Sequence, residues 1–149
     1  MSPRGIHSLD LMIDAFGEIA EVCAASDRRA VALEVDDTTS MLFRFAGGMT
    51  GYLSTILATG EYWRVHVSGT QGWIEMRTDH RLIVSDLDNV VEDISYEPFD
   101  IERAELEAFA RAAEGGPPFP VTAAQAIHCV AVHQAIARSA LEGGWVAVS

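Results

Sequence analysis

Gly5-Ile6-His7-Ser8-Leu9-Asp10-Leu11-Met12 is the stretch from which the rest of the chain is read. Leu9, Met12, Ile13 and Phe16 recur at i, i+3, i+4 and i+7, the apolar stripe of one α-helix face. His7, Asp10 and Asp14 recur at i, i+3 and i+7 on a separate polar face. A histidine and a carboxylate one turn apart stand about 5–6 Å apart at Cβ, near enough to share a hydrogen bond or a substrate hydroxyl. The apolar side therefore predicts packing against a scaffold, and the polar side is where chemistry is sought. Acidic residues near a helix start also suit the helix dipole, so an ordinary solvated face accounts for the same pattern.

Working outward, the helix is predicted from about Gly5 to Phe16, with Gly17 as its natural C′ residue. Glu18–Ser26 and Ala30–Val35 read as two strands joined by the turn Asp27-Arg28-Arg29. Ser40–Phe45 alternates, with Met41, Phe43 and Phe45 on one face, and Gly47-Gly48 signals a tight hairpin returning as Thr50–Thr59. Alternation resumes over Glu61–Ser68, Trp73–Met76, Arg81–Ser85 and Val90–Tyr96, separated by short polar or glycine turns. After Pro98 the period changes to 3.6. Asp100 can cap a helix that Gly115-Gly116-Pro117-Pro118 stops, and Thr122-Ala-Ala-Gln125 is a capping box opening a long helix to about Leu141. Trp145–Val148 reads as a last strand. The order helix, strands, two helices, strand predicts an α+β fold of residues 1–149 as a single domain. Its expected form is a largely antiparallel open sheet of about six to eight strands with helices packed on one face.

Composition narrows the function. The net charge of −12 argues against a nucleic-acid or anionic-membrane surface. All ten basic residues are arginine, so this chain can supply no lysine for Schiff-base, phosphate-binding or general-acid chemistry. Cys23 and Cys129 fit no metal spacing and sit among apolar residues, which predicts buried free thiols in a reducing, cytoplasmic setting. No apolar run reaches the ~18 residues of a membrane span, and the amino end has no signal-peptide core. No G-x-G spacing occurs, so a dinucleotide fingerprint is missing.

Four segments resemble, in order, the carboxy-terminal domain of the Gfo/Idh/MocA oxidoreductases, named for glucose–fructose oxidoreductase and inositol dehydrogenase. They are the Gly5–Leu11 helix opening, Asp37–Gly51, Val67–Glu75, and Phe119–Ala126 continued by Ala135–Gly143. The resemblance implies a two-domain parent in which a Rossmann domain binds NAD or NADP, while this half walls the substrate pocket and makes oligomer contacts. It implies that His7 is the active-site histidine exchanging a proton with a substrate hydroxyl. Asp10 is then the acidic residue that orients His7 or binds a sugar hydroxyl. Pro3 stands where the family commonly has an aspartate, and the family's catalytic lysine belongs to the other domain.

The resulting expectation is a substrate-binding and oligomerisation domain of an NAD(P)-dependent oxidoreductase of sugars, polyols or related hydroxy compounds. It would be an excised fragment or truncated product, inactive alone and binding no cofactor or metal itself. Its expected partners are a second copy, as a dimer or larger through the sheet face, and a small-molecule substrate in the full-length context. The alternative from another class is a stand-alone domain that self-associates or binds a small ligand without redox chemistry. Other constellations have bland readings. Cys129 and His133, at i and i+4, read as core of an Ala-rich helix. Arg44, Arg64 and His66 read as a solvated sheet face or a polar interface. Trp63, Trp73 and Tyr52 read as core or an association patch, and Glu102, Glu105 and Glu107 as a solvated helix face.

Overall fold

The computed structural model describes residues 3–60 and 62–149, with three helices and eight strands among them. The chain divides into two compact units, Met1–Thr59 with Pro120–Ser149, and Gly60–Phe119.

The first unit holds α1 (Pro3–Phe16), β1 (Ile19–Asp27), β2 (Thr38–Phe45), β3 (Thr50–Ile56), α3 (Ala123–Glu142) and β8 (Trp145–Ala147). Its antiparallel sheet runs β3-β2-β1-β8. The alternation of β2 sends Met41, Phe43 and Phe45 inward, as the sequence predicts. There they meet Ile19 and Val22 of β1, Leu9 and Ile13 of α1, and Val132, Ala135 and Ile136 of α3 in one buried cluster. α1 and α3 therefore cover the same face of the sheet. The opposite face keeps Tyr52, Leu42 and Trp145 exposed in one cross-strand row through Cys23.

The second unit holds β4 (Val65–Gly69), β5 (Gly72–Thr78), β6 (Arg81–Ser85), β7 (Val91–Ser95) and α2 (Ile101–Ala113). Its four strands form an antiparallel meander in chain order, each joined to the next by a short turn. α2 is capped by the Asp100 carboxylate, which accepts from the Arg103 N–H at 2.9 Å, but it buries no residue.

Two expectations need correction. The strands make two four-stranded sheets, not one sheet of six to eight. The ladder between β2 and β3 ends where the Leu57 N–H turns back to the Asp37 carbonyl at 2.8 Å. The short turns that follow satisfy β4 to β7 among themselves. The second correction concerns Ala30–Val35, which is a loop and not a strand. The buried Asp37 carboxylate accepts from the N–H groups of Arg29, Ala30 and Val31, at 2.7–3.0 Å. Those are the donors a strand would have spent on a neighbour, and Leu33 and Val35 are left exposed.

Candidate functional site

α1 is held by one stripe. Leu9 and Ile13 are buried, Phe16 meets Phe45 edge-on with centroids 5.8 Å apart, and Met12 packs on the core margin. Gly51 permits the Met12 approach, since a Cβ there would stand 3.1 Å from Met12 Cε. The helix closes as expected, with the Gly17 N–H donating to the Ile13 carbonyl at 2.9 Å and Gly17 at φ +83°.

This seat fixes the polar face. His7 and Asp14 are exposed, while Asp10, one turn beyond His7, is half-buried. No hydrogen bond or ion pair joins His7 to Asp10 among the described residues, though the two share a face of α1. The negative charge of Asp10 reaches Cys129 on α3 and adds to burial in pushing that thiol's pKa up. Cys129 is therefore protonated and enclosed, the opposite of an activated nucleophile. His133 Nδ1 lies 3.3 Å from the Cys129 carbonyl oxygen, so it meets the backbone and not the thiol.

Sequence reasoning missed what α3 does for β1. β8 pairs only with Glu21–Cys23, which leaves β1 backbone donors on either side of it. α3 supplies both acceptors. His128 Nε2 accepts from the Ile19 N–H at 3.0 Å, and Ser139 Oγ accepts from the Ala24 N–H at 2.8 Å while donating to the Gly144 carbonyl at 2.6 Å. Residues 128 and 139 are eleven apart, three helical turns, so both fall on one face; that spacing was the available signal.

The remaining candidates separate onto the two sheets. Arg44 pairs with Glu21 at 2.8 Å and lies 4.1 Å over the Trp145 ring. Arg64 and His66 instead approach the buried Glu75 of β5, at 3.4 and 3.7 Å. Arg77 also bonds Glu75 and is the main cause that holds its carboxyl below the usual range. His66 stacks on Trp73 with centroids 5.4 Å apart, whereas Tyr52 stands on the other sheet. Glu107 of α2 is paired with Arg103 and Arg111 on an exposed face.

No group of three potential metal ligands comes together among the described residues. Every strand pairing among them is antiparallel, whereas a dinucleotide fold needs parallel βαβ units with a glycine-rich turn. No described helix is long and apolar enough to cross a membrane.

Comparison with known proteins adds the context. Residues 4–75 match the model of the GFO/IDH/MocA C-terminal domain. No curated protein sequence matches the chain. Among solved structures, an oxidoreductase from Thermotoga maritima superposes with TM-score 0.79 at 26% identity, over 97% of this chain and 42% of its own. An oxidoreductase from Agrobacterium radiobacter, solved with NAD+, L-tartaric acid and magnesium, gives 0.82 at 21%, over 97% and 47%. The aldose-aldose oxidoreductase from Caulobacter crescentus, complexed with glycerol, gives 0.82 at 24%, over 96% and 45%. This chain thus spans less than half the length of these solved relatives.

Proposed function

The chain belongs to the Gfo/Idh/MocA family as its carboxy-terminal domain, and from that premise we propose that it walls the substrate pocket of an NAD(P)-dependent oxidoreductase. The substrate class is a sugar, polyol or related hydroxy compound. His7 exchanges a proton with the substrate hydroxyl, and Asp10 orients the imidazole or binds a neighbouring hydroxyl. The observation that carries this reading is the posture of α1: its apolar stripe is locked in the core while His7 faces outward with Asp10 one turn away. The match over residues 4–75 includes both residues. The redox partner, NAD or NADP, is assigned to the other half of the enzyme, since this chain spans less than half the length of its solved relatives.

We propose as well that the outer face of the first sheet mediates self-association. Glu21 and Arg44 neutralise each other there, and the row Tyr52, Leu42, Trp145 offers apolar surface. In a chain of net charge −12, a charge-balanced face is where two copies approach with least repulsion.

The test joins this chain to a dinucleotide-binding half and follows NAD(P)-linked oxidation of polyols and sugars. His7→Ala is expected to lower kcat by roughly 10²–10⁴-fold, the usual contribution of a general acid–base, with Asp10→Asn falling less. Undiminished turnover by His7→Ala would sink the assignment. Tight NADH binding by this chain alone would contradict the division of labour.

A further inference from the structure

Strand pairing in the second unit gathers charge around one carboxylate. β5 places Glu75 opposite His66 of β4 on one side and Ile83 of β6 on the other, and Ile83 in turn faces Asp93 of β7. Arg64, two residues before His66, and Arg77, two after Glu75, both reach the Glu75 carboxylate. The Glu75 side chain is only 8% exposed, whereas both guanidiniums stand open to solvent. What faces the solvent there is a pair of cations lying over a covered anion.

One carboxylate offsets one guanidinium, and here it serves two. Arg64, Arg77 and Glu75 together carry +1, in a chain whose net charge is −12. Asp93 on the same face is already taken by Arg81, whose Nε and Nη2 donate to it at 3.0 and 2.6 Å. The further ionisable group beside Glu75 is His66, with Nδ1 at 3.7 Å, which is not a second acid. Glu107 of α2 also meets two arginines, but Glu102 and Glu105 return that helix to a net negative charge.

The donors agree with the charge. A guanidinium carries five N–H groups. Among the described residues Arg77 donates through Nε alone, to Glu75, and Arg64 makes no hydrogen bond, its Nη1 standing 3.4 Å from the carboxylate. Both heads are nevertheless steadied. Arg64 also lies 5.9 Å over the Tyr62 ring, and the buried carboxylate holds the pair in place, so less side-chain freedom is left for a ligand to remove. We infer that Arg64 and Arg77 form a fork for a small oxyanion, a carboxylate or a phosphate, which supplies the missing negative charge and takes the unused N–H donors. The nitrogens that meet Glu75 are separated by a single carboxylate, a span that two oxygens of such a ligand also cover. The site lies wholly in the second unit and depends neither on His7 nor on the sheet-face association.

Titration of the full chain tests it, with inorganic phosphate and with malonate as probes and the ionic strength held constant with sodium chloride. The arginine Nε–H and Trp73 indole NMR signals are expected to shift saturably with one probe or with both. Phosphate alone would mark a phosphate site, malonate alone a carboxylate site, and both together a fork that reads only the paired oxygens. Arg64→Gln, at an exposed side chain, is expected to weaken binding at least tenfold with the urea midpoint unchanged. Arg111→Gln, at the other glutamate shared by two arginines, should bind like the parent. Signals that respond to chloride as strongly as to either probe would overturn the site, and so would an Arg64→Gln chain that binds as tightly as the parent.

Discussion

Ser139→Ala removes one oxygen and leaves two backbone groups to find new partners. The hydroxyl accepts from the Ala24 N–H at 2.8 Å and donates to the Gly144 carbonyl at 2.6 Å, and Ser139 is wholly buried. Gly144 is exposed and its carbonyl can turn to water. The Ala24 N–H has no such recourse, because β8 pairs no further than Cys23. An unmet donor costs about 1–3 kcal/mol, and since Ala24 is only partly buried the lower half applies, about 1–2 kcal/mol. For a chain of this size that is a melting-point fall of roughly 2–8 °C. Urea titrations should show a lower midpoint at unchanged slope. His128→Phe removes the other acceptor, from the Ile19 N–H, about 16 Å along the helix, beyond the range where mutations couple. The double variant should therefore equal the sum of the singles to within about 0.5 kcal/mol. A Ser139→Ala protein within about 0.3 kcal/mol of the parent would refute the claim that α3 serves as a substitute strand for β1.

Four further outcomes follow from the same geometry. The three backbone donors on Asp37, Val31 foremost, hold its carboxyl far below the usual carboxylate range, so its stabilisation is complete above about pH 4 and drains away as pH falls through the folded-state value. Asp37→Asn should accordingly lower the urea midpoint at pH 7 and lose most of that difference by about pH 2; an equal deficit at both pH values would exclude the linkage. At Gly72, φ is +133° and a Cβ would strike the Ser85 carbonyl oxygen, so Gly72→Ala should disrupt the β5–β6 pairing at its Trp73–Ser85 end and cost more than the ~1–2 kcal/mol of left-handed backbone alone, read by hydrogen exchange of β5 and β6 amides. Thr55 Oγ1 is buried without a hydrogen-bond partner among the described residues, so Thr55→Val should stabilise by about 1 kcal/mol in thermal unfolding, and destabilisation would mean that the hydroxyl is used. An aromatic disulfide reagent at pH 8 should titrate Cys23 in the native protein and reach Cys129 only on unfolding, since burial raises the latter's pKa.

Where the chain obeyed a single local period, its structure was legible. Leu9, Ile13 and the alternation Met41-Phe43-Phe45 each point where their spacing says, and Gly17, Asp100 and Thr122 cap or stop helices as their chemistry requires. Ala30–Val35 misled because its apolar residues carry strand propensity. What overrides that propensity is one carboxylate several residues later, which takes the backbone donors first. The division into two sheets was hidden for a similar reason: alternation fixes which face a strand presents but not which strand lies beside it. Of the candidate site, the shared face of His7 and Asp10 could be read from i, i+3 spacing. The half-burial of Asp10 beside α3 could not, because it depends on a helix more than a hundred residues away.

That distance explains why α3, and not α1, sets the terms for the site. α1 has a single anchoring stripe, so the direction of His7 is only as fixed as the surface beneath Leu9 and Ile13, and α3 makes much of that surface. α3 is in turn registered against β1 by two hydrogen bonds three turns apart, which forbid it to slide or rotate without leaving a backbone donor unmet. The rigidity that steadies His7 thus originates in two side-chain acceptors on α3. Loosening the Ser139 and His128 contacts should therefore disturb the seat of α1 as well.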